Sequence, residues 1–304
     1  MNHGLLAAGN RILPALVTPL TSEGALDVAS IERLVGHLYD QGVGGLYVTG
    51  STGEGVYLEP DTRRAVVELA VKLSRGRGSV IVHVGAVQAA QAYELAAHAA
   101  RAGADAVASI PPFVGGFSWD EVREYYSRLC AAGPLGVLAY YIPGLTGQAF
   151  PLERLAELAA HEKIVGFKFT DPNLYLMQRL LARLRADQIV YNGPDEMLVL
   201  GLAMGAHGGI GTTYNFMPSL VLKVAALSAA GKITEAVAVQ KQINEVIEIL
   251  LSYQGLAATK QILYWQGLIS SPTCAAPRAM LSDTSRADLR RRLAPTAIAD
   301  TLVR

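Results

Sequence analysis

The chain is short of cysteine: Cys130 and Cys274 are the only two in 304 residues, in segments that read as helix and loop. Two cysteines without CxxC spacing exclude a disulfide-stapled scaffold and a thiolate metal ribbon, so we expect reduced thiols in a cytoplasmic protein. An excess of either charge is also missing, since Lys plus Arg and Asp plus Glu number 26 each. Without a basic surplus there is no bulk electrostatic hold on nucleic acid or an anionic membrane, and the expected partner is a small molecule. Long apolar runs are absent too. The stretch Ile12 to Leu20 is short and holds two prolines, and Met1-Asn2-His3-Gly4 has no basic region ahead of an apolar one, so neither a membrane span nor a signal peptide is expected. HExxH, Walker A and GxGxxG patterns are missing, and the six histidines (His3, His37, His83, His98, His161 and His207) show no metal-ligand spacing. No metal and no organic cofactor is expected, and His83, at the end of a strand, reads as a hydrogen-bonded structural residue.

What is present is a core-forming composition, 51% apolar and 17% charged, enough for one large domain. Eight short β-rich runs recur: Ile12 to Thr18, Gly45 to Thr49, Val80 to Val84, Ala106 to Ile110, Gly136 to Tyr140, Ile164 to Lys168, Ile189 to Asn192 and Gly208 to Ile210. Between them apolar residues fall at helical spacing, as in Ile31, Leu34, Val35 and Leu38, and Ser118 and Asp195 stand where helix caps belong. Eight alternations of strand and helix call for a parallel sheet, and their number fits a closed (β/α)8 TIM barrel better than an open doubly wound sheet. After Pro218 the pattern is helical only. We read residues 1–230 as the barrel and catalytic domain, and 231–304 as a C-terminal helical extension packed on it.

In such a barrel function gathers at the carboxyl ends of the strands. The sixth strand ends in Lys168, inside Ile164-Val165-Gly166-Phe167-Lys168-Phe169, which is too apolar for a solvated strand. Such a lysine either runs its stem along the strand to water or is withdrawn from it, and withdrawal favours the neutral amine, the form that attacks a carbonyl. Other strand ends supply partners. Gly50-Ser51-Thr52-Gly53-Glu54 offers free amides and hydroxyls for a carboxylate, although Ser51 or Thr52 could equally cap the next helix. One ring of Tyr140-Tyr141 should face inward, where a phenol near an amine relays protons. Asp195 and Glu196 open a helix, where carboxylates offset the dipole.

With Lys168 these loops resemble a known family, the pyruvate-dependent class I aldolases that include the dihydrodipicolinate synthases and N-acetylneuraminate lyases. The resemblance runs over nearly the whole chain and rests on Gly50 to Glu54, Tyr140 to Gly147, Gly166 to Thr170 and Gly208 to Asn215. It implies a Schiff base between Lys168 and the keto carbon of pyruvate, a carboxylate held by Ser51 and Thr52, and catalysis by Lys168, Tyr140 and Thr52. Sugar-side binding falls to Thr170, Gly193, Asp195, Glu196 and Thr212. The implied reaction is reversible cleavage of N-acetylneuraminate to N-acetylmannosamine and pyruvate; another 2-keto-3-deoxy sugar acid aldolase or dehydratase, or a non-catalytic keto-acid or sugar-binding barrel, are the alternatives. A homotetramer is implied as well. Departures bear on the details: Leu145 stands where the synthase branch has arginine, Val114-Gly115-Gly116 follows Pro112-Phe113 where a tyrosine often crosses to a neighbouring subunit, Tyr141 stands where the family often has asparagine or histidine, Pro194 where lyases vary, and Thr212 where serine is common.

Overall fold

A computed structural model describes residues 11–303, so the opening Met1 to Gly4 and His3 lie outside the described residues. Eight strands are present: β1 Ile12–Pro14, β2 Gly45–Val48, β3 Ser79–His83, β4 Ala106–Ser109, β5 Gly136–Tyr141, β6 Ile164–Phe169, β7 Ile189–Asn192 and β8 Gly208–Gly211. Each pairs in parallel with its neighbours in the order β1-β8-β7-β6-β5-β4-β3-β2. A parallel bridge from Ala15 to Tyr47, with the Leu16 amide donating to the Tyr47 carbonyl at 2.8 Å, brings β1 to β2 and closes the ring. This is the TIM barrel that the alternation called for, and the predicted strands match the observed ones to within a residue or two at most ends. β1 is shorter than the predicted run: its regular pairing stops at Pro14, which has no N–H to donate.

Helices follow because the intervening segments carry one apolar face and specific stops. Val28–Gln41 starts where the Asp27 carboxylate accepts from the Ser30 amide at 3.0 Å and ends at Gly42, whose φ of 98° is left-handed. Ser118 caps Trp119–Ala131, as the sequence pattern anticipated, and forms a reciprocal capping box with Glu121. The barrel has two cores. Leu13, Ile81, Leu138, Val165, Ile189 and Ile210 fill its interior, whereas Ile31, Leu34, Phe167, Phe169, Val221 and their neighbours form the layer between strands and helices. Beyond the eighth strand come Pro218–Ala229, Ile233–Leu251, Gly255–Trp265 and Asp283–Leu293, all helical. Cys130 and Cys274 are free and buried, and burial pushes the Cys130 thiol up to about 12. Among the described residues no helix is long and apolar enough to cross a membrane.

Candidate active site

Lys168 reaches the barrel interior because of one irregularity in β6. Pairing runs Val137 to Ile164 and then Leu138 to Gly166, which leaves Val165 without a partner of its own. Side chains alternate along a strand, so one extra residue reverses every later side chain. Val165 points inward, Phe167 and Phe169 join the outer layer, and Lys168 falls opposite Tyr140. Without the bulge Lys168 would face the helices. Gly166 permits it: φ is +145°, and a Cβ there would sit 1.8 Å from the Ile189 carbonyl oxygen. The lysine is 6% exposed, and its Nζ lies 4.1 Å from the centroid of the Tyr140 ring and 4.6 Å from that of Tyr47. Both rings lie within cation–π range of the amine, and among the described residues no carboxylate forms a salt bridge with Lys168.

Tyr140 faces inward and Tyr141 outward, as alternation predicted. Tyr141 stacks at 5.0 Å on Phe169 in the outer layer, so the departure at this position does not touch the interior. Tyr140, Tyr47 and His83 form a triangle of rings with centroids 6.1 to 6.2 Å apart beside Lys168. Tyr47 was not singled out from the sequence, because an aromatic in a strand reads as packing. Among the described residues its buried hydroxyl has no hydrogen-bond partner, and burial raises it well above the usual phenol range. His83 has its Nε2 3.4 Å from the Ile110 amide, which donates to it, fitting the structural role anticipated. Burial, with help from Arg63 and Lys168, lowers it to about 3, so its imidazole is neutral at pH 7.

The turn after β2 is held on both sides. Neither Ser51 nor Thr52 caps the next helix, which begins at Pro60 behind Glu59. Ser51 is exposed on the rim, while the Thr52 hydroxyl meets the Thr212 hydroxyl across the barrel mouth at 2.6 Å. Thr49 and Glu54, the two non-glycine residues with positive φ among the described residues (56° and 58°), flank the turn. A β-branched residue there is a real strain, of the kind that gathers at functional sites.

Thr170, Gly193, Asp195, Glu196 and Thr212, the five sugar-side candidates, line one cavity of about 410 Å³ at the carboxyl end of the barrel, walled opposite by Leu250 and Tyr253. Lys168, Tyr140, Ser51 and Thr52 do not line it; the two groups meet at the Thr52–Thr212 hydrogen bond and through Thr170, two residues beyond Lys168. The Thr170 Oγ1 is buried without a partner, and Gly193 makes way for it, since a Cβ there would lie 1.8 Å from that oxygen. Asp195 and Glu196 open a short 3-10 helix, Asp195–Met197, that leads into Leu198–Ala203, but Pro194 and not Asp195 stands at the cap; the Asp195 Oδ2 accepts from the Thr213 amide and hydroxyl, each at 2.7 Å. Burial raises its carboxyl to about 6, against the pull of the Thr213 hydrogen bonds and Lys168. Glu196 is exposed.

Two further residues escaped the sequence reading. Arg63, in the helix Pro60–Ser74, is buried and donates to the carbonyls of His83 (2.7 Å) and Gly85 (3.0 Å). Lys260, in Gly255–Trp265, is fully buried and paired with Glu54. In sequence both read as ordinary charges on a helix surface, and only three-dimensional proximity gives them partners.

Residues 8–295 match the model of the dihydrodipicolinate synthetase family. An N-acetylneuraminate lyase of Rhizobium meliloti is 36% identical over 284 residues, 93% of this chain and 94% of its own. One of Escherichia coli is 36% identical over 267 residues, covering 88% and 90%. Among solved structures, a catalytic-lysine mutant of Ruminococcus gnavus sialic acid aldolase superposes with a TM-score of 0.91 at 30% identity, covering 98% of this chain and 97% of that one. A barrel whose strand ends converge on a buried lysine, matched along nearly its whole length, belongs to the dihydrodipicolinate synthetase family.

Proposed function

We propose that the chain is a class I aldolase that forms a Schiff base through Lys168 and reversibly cleaves N-acetylneuraminate to N-acetylmannosamine and pyruvate. The observation that carries this reading is the amine itself: buried, turned inward by a glycine bulge and faced by two tyrosine rings. The 36% identity to N-acetylneuraminate lyases and the catalytic lysine of the Ruminococcus aldolase support the same assignment.

In the proposed mechanism the Nζ of Lys168 adds to the keto carbon, and loss of water leaves an iminium. The iminium draws in the electrons of the bond between the third and fourth carbons, so cleavage gives an enamine instead of a bare carbanion. Tyr140 takes the proton from the fourth-carbon hydroxyl as the aldehyde forms and returns it to the enamine carbon; hydrolysis then releases pyruvate and the free amine. No metal or organic cofactor enters these steps. Ser51 and Thr52 hold the pyruvate carboxylate, with Thr52 shared between the two halves of the site through Thr212. Thr170, Gly193, Asp195, Glu196 and Thr212 receive the polyhydroxylated chain, for which a row of hydroxyl and carboxylate groups is suited. Leu145, 54% exposed in the turn after β5, offers no cation for a second carboxylate, which favours the lyase branch over the synthase branch.

The exposed apolar side chains of Tyr57, Val87 and Val114, in the loops after β2, β3 and β4, support self-association, and we assign a homotetramer of two dimers. Two free thiols suit the reducing cytoplasm. Residues 1–230 act as the catalytic barrel and 231–304 as its extension. A pyruvate-release assay over a panel of keto-deoxy sugar acids tests the substrate: turnover is expected with N-acetylneuraminate, and activity confined to shorter keto-deoxy acids would move the assignment to another aldolase of the family.

A further inference from the structure

The helical extension does more than cover the barrel. Glu54 and Lys260 are each 0% exposed, 206 residues apart in sequence, and their side chains form an ion pair. Glu54 closes the Gly50-Ser51-Thr52-Gly53-Glu54 turn; Lys260 sits in the middle of Gly255–Trp265, in the extension. Each member is held further. The Glu54 Oε1 accepts from the Ala275 amide at 2.7 Å, and the Lys260 Nζ donates to the Thr273 carbonyl at 2.8 Å. One buried carboxylate is thus fastened to two separate pieces of the extension.

The turn has few other fastenings of its own. Besides the Thr52–Thr212 hydroxyl contact at 2.6 Å, its backbone closes through Glu54 N to Ser51 O (3.2 Å), Gly55 N to Gly50 O (3.1 Å) and Tyr57 N to Glu54 O (2.8 Å), and the Thr18 hydroxyl donates to the Gly53 carbonyl at 2.7 Å. Against these stand the left-handed φ of Thr49 and Glu54, a conformation that persists only when the surroundings impose it. Gly55 shows how tight the fit is: a Cβ there would lie 1.9 Å from the Thr49 carbonyl oxygen. The charges are expensive to bury, and neither Ser51 nor Thr52 touches them directly. Their effect on Ser51 and Thr52 passes through the backbone of three residues.

We infer that Glu54 and Lys260 are a positioning pair, by which the C-terminal extension fixes the turn that presents Ser51 and Thr52 to the substrate carboxylate. Thr259, next to Lys260, lines the 410 Å³ cavity on its far side, so the same helix anchors the carboxylate turn and walls the sugar end. The extension is then a working part of the site, and its seating on the barrel sets pyruvate affinity. This inference rests on the Schiff-base reading of Lys168.

The test uses the full-length protein with Lys260→Met, Glu54→Gln and the double variant Glu54→Gln/Lys260→Met. The single variants leave one buried group without its charged partner and lose thermal stability; the double variant removes both charges and regains much of it. A positioning pair separates kinetics from stability. In the folded double variant the KM for pyruvate in the condensation direction should rise at least about tenfold while the KM for the sugar aldehyde stays within about twofold, and amide hydrogen exchange at residues 50–55 should quicken. A double variant with wild-type pyruvate KM and wild-type exchange at 50–55 would overturn the inference, whatever the single variants do. Wild-type protein reduced with borohydride in the presence of pyruvate is run in parallel. Failure of that control refutes the Schiff-base reading and the inference with it; a labelled control beside an unperturbed double variant refutes the inference alone.

Discussion

Replacing Asp195 by asparagine should make the protein more stable at neutral pH and less stable in acid. The carboxyl is raised from its ordinary 3.8 to about 6, chiefly by burial. Each pH unit of difference corresponds to about 1.36 kcal/mol, so ionising the carboxyl in the folded state costs about 3 kcal/mol relative to the unfolded chain. The sign follows from the raised value. Below about pH 4 both states hold the proton and nothing is lost; between about pH 4 and pH 6 only the folded state holds it, and stability falls as pH rises; above about pH 6 the whole cost is present. Asparagine carries no charge, and its one oxygen takes the two Thr213 bonds that Oδ2 takes while an amide NH2 replaces the other oxygen, a loss of about 1 kcal/mol. Asp195→Asn is therefore expected to be about 2 kcal/mol more stable than the wild type near pH 7, about 1 kcal/mol less stable near pH 3, and equal near about pH 4.5. Urea unfolding of both proteins across that range reads the difference directly. A difference that stays constant with pH, or moves in favour of the wild type as pH rises, would refute the argument. The same carboxyl lines the cavity of about 410 Å³ proposed for the sugar, so turnover is expected to fall in the variant that gains stability.

Tyr140→Phe removes the proposed proton carrier and keeps the ring over Lys168, so kcat should fall by about 10²- to 10⁴-fold while pyruvate can still be trapped on the protein. Equal loss of trapping and turnover would show that the hydroxyl is needed earlier. Thr52→Val removes a hydroxyl from the carboxylate turn and from the contact with Thr212, and a lost hydrogen bond to a charged group should raise the KM for pyruvate by about 10- to 100-fold. Unchanged pyruvate KM would remove Thr52 from that role. Gly166→Ala puts a methyl on the Ile189 carbonyl and a side chain at φ +145°, so it should lose at least about 3 kcal/mol of stability and retain little activity even where it folds. Near-normal melting and turnover would mean that the bulge is not what turns Lys168 inward.

Architecture was the more legible part of the sequence, because alternation of apolar runs and helical spacing is a local property. The candidate site drew attention in the sequence where a residue was locally out of place: Lys168 in an apolar strand, or the Ser51-Thr52 hydroxyls in a glycine turn. Where a residue looked ordinary in its own segment, it was missed. Tyr47 reads as strand packing, and Arg63 and Lys260 read as charges on helices; their meaning comes from partners 20 and 206 residues away. Asp195 does open a short helix, as its local sequence suggests, but its bonds to Thr213 on the neighbouring strand end are not visible from its own segment. The reversal of side chains at Gly166 also escaped, because a bulge depends on the register of two strands and a single strand does not reveal it.

The central claim is that Lys168 is a nucleophile toward a 2-keto acid. Incubating the protein with pyruvate, reducing with borohydride and mapping the peptides by mass should find one reductively attached pyruvate on the peptide containing Lys168 and none on Lys168→Ala, which should keep its fold. Folded wild-type protein that stays unlabelled, or is labelled at another lysine, would contradict the account.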